Sequence, residues 1–219
     1  MKKQYAVIGM GRFGSSAAYP LFNEGHHVLA MAKRVEKIEE HKQEVTYSVI
    51  ADSTEEEALK EVGIRNFDTV IVAIGDDIQA SILTVLLLKE IGVEHVVAKA
   101  INKKHGQLLD KVGADKVIFP ERDMGERVAH LLMAAPNVLN FIELAEDYSM
   151  EEMKVSKSLA GKSLQELSLR NKYHVTVVAI KDKKGINIIA PEPETKLEAD
   201  DILLVIGANR NLERFAKRD

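Results

Sequence analysis

The chain has 219 residues, a formal net charge of −4, and hydrophobic and charged fractions of 46% and 29%. That charge gives no global attraction to nucleic acid or anionic lipid, and no run approaches the ~20 apolar residues that span a bilayer. Cysteine is absent, which excludes disulfides, thiolate metal sites and cysteine nucleophiles; tryptophan is absent and aromatics are only 5%, which argues against stacking platforms for single-stranded nucleic acid.

Residues 1–4 lead directly into an apolar run that Gly9, Gly11 and Arg12 interrupt before a signal-peptide core can form, so a cytoplasmic location is expected. Short apolar runs recur at 5–8, 28–31, 47–50, 69–73, 95–98 and 116–119. Each reads as apolar on both faces, the pattern of strands buried in a parallel sheet. Segments of helical period lie between them, marked by Leu59, Val62 and Ile64, then by Ile78, Ile82, Leu83 and Leu86, then by Leu108, Leu109 and Val112. This alternation predicts an α/β fold with a Rossmann-like doubly wound parallel sheet.

After Pro120 the pattern changes. A helix is predicted over 121–134, with Met124, Val128, Leu131 and Leu132 on one face, and Ala135-Pro136-Asn137 ends it. Residues 138–144 read as extended, and from about 150 the chain alternates through Met153 and Val155. A short helix follows near 163–167, then strands at 175–180 and 186–189, a proline-containing loop at 191–193, a strand at 202–206 and a closing helix at 212–217. Strands joined locally, without intervening helices of full length, indicate a second, smaller α+β domain. The expected domains are 1–136, including the helix near 121–134 as a crossover element, and 137–219.

Gly9-Met10-Gly11-Arg12-Phe13-Gly14 fits G-x-G-x-x-G between a predicted strand and a predicted helix. Gly9 permits the tight turn, Gly11 lets phosphates approach the backbone, and Gly14 lets helix and strand pack closely. Phosphate then meets free N–H groups at the positive end of the helix dipole. An acid is expected about 20 positions on to grip the ribose hydroxyls, but Ala32 stands there, followed by Lys33 and Arg34. These two are either solvated turn charges or partners for a 2′-phosphate or polyphosphate. Asp52 is positioned to accept from an adenine amine, Ser53 or Thr54 to cap the next helix, and Ala73-Ile74-Gly75 to give a close-approach turn over the same pocket.

The seven histidines show no recognisable catalytic or metal spacing, and the second domain is small for enclosing a substrate. Ligand sensing is therefore favoured over catalysis. An NADP-linked oxidoreductase is the alternative; a Rossmann-type transcriptional repressor lacks room for a helix-turn-helix.

Several longer segments carry a resemblance: YAVIGMGRFG at 5–14, GIRNFD at 63–68, VAIGDDIQAS at 72–81, GAD at 113–115 with PERDMG at 120–125, and SLAGKS at 158–163 with ILLVIG at 202–207. They resemble the N- and C-terminal RCK domains of bacterial Ktr/Trk-type (TrkA-like) regulatory subunits. The resemblance implies a homo-oligomer, an eight-subunit ring on the cytosolic face of a membrane potassium-translocating subunit, with no nucleic acid bound. It further implies ATP or ADP, or NAD(H), in the Rossmann site. Gly9, Gly11, Asp52, Lys99 and the turn at Ala73, Ile74 and Gly75 would line the nucleotide, and Arg12 would reach its terminal phosphate. Glu121 matches a position where a divalent cation, magnesium or calcium, bridges subunits; it reads equally as a charge in a helix first turn. Cyclic di-AMP is implied between paired C-terminal domains, at Leu164, Arg170, Val175, Thr176 and Pro191, with Arg170 facing a phosphate. Ala32 departs from the family acid, and Thr176 stands where asparagine is common.

Overall fold

The computed structural model describes residues 2–182, 185 and 187–218. By its internal contacts the chain divides into Met1–Asp123 and Met124–Asp219.

In the first unit six strands form one parallel sheet: β1 (Gln4–Ile8), β2 (His27–Ala32), β3 (Tyr47–Ile50), β4 (Thr69–Val72), β5 (Val96–Lys99) and β6 (Lys116–Ile118). Their spatial order is β3-β2-β1-β4-β5-β6, the doubly wound arrangement that the sequence predicts. Alternate residues of β1 serve opposite faces. Ala6 and Ile8 join Leu29, Met31, Val70 and Val72 under helices α3 (Glu56–Glu61), α4 (Ile78–Ile91) and α5 (Lys103–Lys111), represented by Leu59, Val85, Leu88 and Leu109. Val7 joins Val28 and Ala30 under α1 (Arg12–Asn23) and α2 (Val35–Glu39), represented by Ala18 and Ile38. Burying each large side chain of this core contributes roughly 1.5–3 kcal/mol.

Two expectations fail here for physical reasons. β3 is not buried on both faces: Tyr47 and Ile50 are exposed because β3 is the edge of the sheet. Neither Ser53 nor Thr54 caps α3, whose N-cap is Glu55 with no side-chain cap bond. Ser53 is instead buried and hydrogen-bonded to the Thr84 hydroxyl at 2.9 Å, and Thr54 donates to Asp52.

Helix α6 (Pro120–Met133) begins in the first unit and continues into the second, and it has no buried residue. The second unit holds an antiparallel sheet ordered β10-β9-β11-β8-β7. Its strands are β7 (Val138–Ala145), β8 (Tyr148–Lys154), β9 (Val175–Lys181), β10 (Asn187–Ile189) and β11 (Ile202–Ala208). Ile186, predicted to open β10, lies outside the described residues. α7 (Leu164–Leu167) starts from a capping box in which Ser163 and Glu166 satisfy each other's backbone N–H groups. α8 (Leu169–Tyr173) has no counterpart in the sequence reading: it is five residues long, between Ser168 and His174, both in the left-handed region. α9 (Asn209–Ala216) buries Leu212, Phe215 and Ala216 in a core shared with Met153, Val175, Ile180, Leu203 and Val205.

Candidate functional site

A cleft of about 1130 Å³ opens in the first unit where the strand order reverses between β1 and β4. This is where open α/β sheets bind ligands. The carboxyl ends of all six strands, or the loops after them, feed it: the glycine loop after β1, Ala32 and Lys33 from β2, Asp52 after β3, Ala73 after β4, Lys99 ending β5 and Glu121 after β6.

The glycine loop is held by backbone. The Gly9 N–H donates to the Met31 carbonyl at 2.8 Å, and the Ala73 N–H donates to the Ile8 carbonyl at 2.7 Å. Gly9 has φ +97°, and a side chain there would also press on the Ala73 backbone at 3.1 Å. At Gly14 an added Cβ would lie 2.0 Å from the Gly9 carbonyl oxygen. Gly14 therefore sets the closeness of α1 to the loop and, unlike the rest of the motif, does not line the cleft. At Gly11 an added Cβ would meet nothing within 4 Å; the open space there is the cleft itself.

Gly11 is also the N-cap of α1, with no side-chain cap bond and no acid in the first turn. The starts of α2 and α3 likewise carry no side-chain cap bond, whereas those of α4 and α5 do. Asp77 accepts from the Ala80 N–H ahead of α4, and Asn102 from the His105 N–H ahead of α5. The uncapped N-terminus of α1 leaves donors and a positive dipole end facing the cleft. This fits the phosphates of a nucleotide.

The remaining predicted residues take distinct places. Met10 is 2% exposed, so its backbone faces the cleft while its side chain belongs to the core. Ser53 is likewise committed to Thr84. Arg12 is exposed at the start of α1, and Phe13 lies under Lys99, whose Nζ is 5.9 Å from the ring centroid. Ile74 and Gly75 complete the turn after β4, with an added Cβ at Gly75 3.2 Å from Lys99 Nζ. Lys99 bonds Glu121 at 2.6 Å. That bond is the largest influence holding the Glu121 carboxyl below its ordinary range, with Lys99 and Arg12 charges adding to it.

Asp52 differs from its sequence reading. Its Oδ1 accepts from both the N–H and hydroxyl of Thr54, at 3.0 and 2.7 Å, and its Oδ2 accepts from Lys33 Nζ at 2.6 Å. The Lys33 bond, then the Thr54 bonds, depress its carboxyl to about 2. Asp52 thus anchors the loop and Lys33, and an adenine amine would have to share it. Arg34 pairs with Asp76 at 3.5 Å across the same rim.

The sequence reading did not single out Lys37, Asp76, Asp77, Gln79, Leu83 or Ile101 as cleft residues. The spacing of Asp77 before the apolar α4 run was the one available signal, as an N-cap. Among the described lining residues there is no histidine, tyrosine or serine–histidine pairing suited to proton transfer. Among the described residues, no group of three or more metal-capable side chains is present.

In the second unit Val175 is 1% exposed in the core and Leu164 packs against that core. Arg170 at the start of α8 and Thr176 near the start of β9 are exposed, and Pro191 is half-buried. No helix among the described residues is long and apolar enough to cross a membrane.

Comparison with known proteins agrees with both units. The TrkA-N domain family matches residues 5–120 and the TrkA-C domain family residues 150–218. Ktr system potassium uptake protein C of Bacillus subtilis (strain 168) is 47% identical over 218 residues, covering 100% of this chain and 98% of that one. Ktr system potassium uptake protein A of the same organism is 45% identical over 213 residues, covering 97% and 95%. Among solved structures, the GsuK channel bound to NAD superposes with a TM-score of 0.67 at 16% identity, covering 97% of this chain and 38% of that channel chain; at this identity the likeness speaks for the fold. The relatives are potassium uptake proteins, not enzymes. With both domain families matched in order and relatives close to half identical from end to end, the chain belongs to the TrkA-N/TrkA-C family of potassium uptake proteins.

Proposed function

We propose that this chain is a cytosolic regulatory subunit of a potassium uptake system, working through a membrane-embedded partner. Adenine nucleotide over the loop at 9–14 sets its conformation. The observation that carries this reading is the uncapped N-terminus of α1 beside an open cleft, with Arg12 exposed at the helix start and Lys99 lining the cleft. When bound, the nucleotide supplies phosphate charge; the chain's residues read it. Gly9 and Gly11 admit the phosphates to the backbone, and the Ala73-Ile74-Gly75 turn lines the cleft beside them.

Arg12 is suited to a terminal phosphate. A charge-assisted contact that ATP completes and ADP does not is worth about 1.5–3 kcal/mol, a roughly ten- to hundredfold bias between two conformations. A ligand binding both conformations equally would shift nothing. NAD(H) is the other candidate, and the GsuK structure with NAD supports a dinucleotide on this fold. Passing such a bias to a pore calls for coupled copies, and a closed ring is the economical form. The exposed apolar residues Met124, Val128 and Leu132 of α6 are suited to contact between copies. A magnesium or calcium ion recruited by Glu121 at such a contact would compete with Lys99. Cyclic di-AMP between second units would use exposed Arg170 and Thr176.

The test is calorimetry with ATP, ADP and NAD(H), then small-angle scattering of the purified assembly with each. Distinct profiles with ATP and ADP, converging in Arg12→Ala while adenosine binding persists, are expected. Identical wild-type profiles at saturation would remove the gating reading.

A further inference from the structure

In sheets of this topology the end of the second strand faces the adenosine ribose, and an acid there grips the hydroxyls and repels a phosphate. β2 instead ends on Ala32, which lines the cleft and is 8% exposed. Its methyl group neither accepts from a hydroxyl nor repels an anion. The next two residues, Lys33 and Arg34, are cations lining the same wall.

Both cations are now held by acids: Lys33 by Asp52 at 2.6 Å and Arg34 by Asp76 at 3.5 Å. The Lys33 and Arg34 side chains are 77% and 66% exposed; the Arg34–Asp76 pair is solvent-exposed on both sides and weak, while Asp52, at 28% exposed, holds Lys33 more firmly. Asp52 can release Lys33 while Thr54 still donates twice to its other oxygen. A phosphate dianion is the stronger partner for both cations, since it carries more charge than a carboxylate.

We infer that the cleft prefers adenine nucleotides phosphorylated on the ribose 2′-oxygen, with Lys33 and Arg34 holding that phosphate in the space Ala32 leaves open. The inference rests on the nucleotide site proposed above and names its ligand class.

Calorimetry on the full chain with two matched pairs tests it: 5′-AMP against adenosine 2′,5′-bisphosphate, and NAD⁺ against NADP⁺. The 2′-phosphorylated member of each pair should bind at least about tenfold more tightly. Adenosine 3′,5′-bisphosphate, of equal charge, should not reproduce the gain. Lys33→Gln and Arg34→Gln should each bring the NADP⁺ to NAD⁺ affinity ratio close to one, and an unchanged ratio in both variants overturns the assignment of these two cations. Ala32→Asp should reverse the preference toward NAD⁺. No preference in either pair, or an equal gain from the 3′-isomer, overturns the inference and leaves the nucleotide site standing. Binding of ATP or ADP without NADP⁺ does the same. If no nucleotide binds, the underlying reading falls too.

Discussion

Replacing Glu151 by glutamine should stabilise the second unit at pH 8 and leave it nearly unchanged near pH 4. Glu151 lies in β8, in register with Phe141 of β7 and Val205 of β11, and is 6% exposed. Ser149 and Met153, two residues to either side, are buried with it. Burial pushes its carboxyl from the ordinary 4.5 up to about 7, and the charge of Glu213 on α9 adds to the rise. Between those values the native state keeps a proton that the unfolded chain has lost. The stabilisation is therefore complete below about pH 4.5 and disappears as pH rises through 7. At roughly 1.4 kcal/mol per pH unit the linkage totals about 3 kcal/mol, most of it between pH 5 and pH 8. Glutamine keeps the shape and cannot ionise. Urea unfolding of wild type and E151Q at both pH values, with amide-exchange mass spectrometry of peptides from β8 and β9, reads this unit separately. Wild type should lose about 3 kcal/mol more than E151Q between pH 4 and pH 8. Parallel losses in the two proteins would refute the buried, proton-holding carboxyl.

Gly14→Ala should destabilise the first unit by about 1–3 kcal/mol or more, because its Cβ would collide with the Gly9 carbonyl rather than with a movable side chain; urea unfolding of that unit checks it. Gly11→Asp should instead fold normally, since its Cβ meets nothing, yet bind ATP and ADP at least about tenfold more weakly by calorimetry; unchanged affinity in the folded variant would remove the phosphates from this loop. Leu132→Glu, at a position 82% exposed, should lower the assembly mass in light scattering with no loss of unfolding free energy; an unchanged mass would take the α6 face out of the oligomer contact.

The strands of the parallel sheet were legible because they are short apolar runs separated by segments of helical period, a pattern set by burial on both faces. The glycine loop was legible for a different reason: its three glycines answer to backbone geometry, and at Gly9 and Gly14 the packing leaves no room for a side chain. Ala32 was equally visible, since the expected acid is defined by distance along the chain from that loop. The apolar face of α6 was likewise a local feature, composition on one side of a helix.

What the sequence by itself determined, then, was whatever depends on neighbours within a turn or a strand. Which strand lies at the edge depends on the order of all six, so Tyr47 and Ile50 looked buried until β3 was placed outermost. α8 is too short to show a period and depends on its two left-handed flanks. Ser53 and Thr84 are 31 residues apart and meet only because α4 packs beside the loop after β3. Asp52 and Lys33 come from the ends of adjacent strands, and parallel pairing carried them to 2.6 Å, so the same carboxylate holds a cation. Glu151 reads as one charge in an alternating strand, and only its burial between β7 and β11 raises its carboxyl to about 7. Partners distant in sequence are chosen by packing, because the free energy of a charge or hydroxyl depends on what replaces its water.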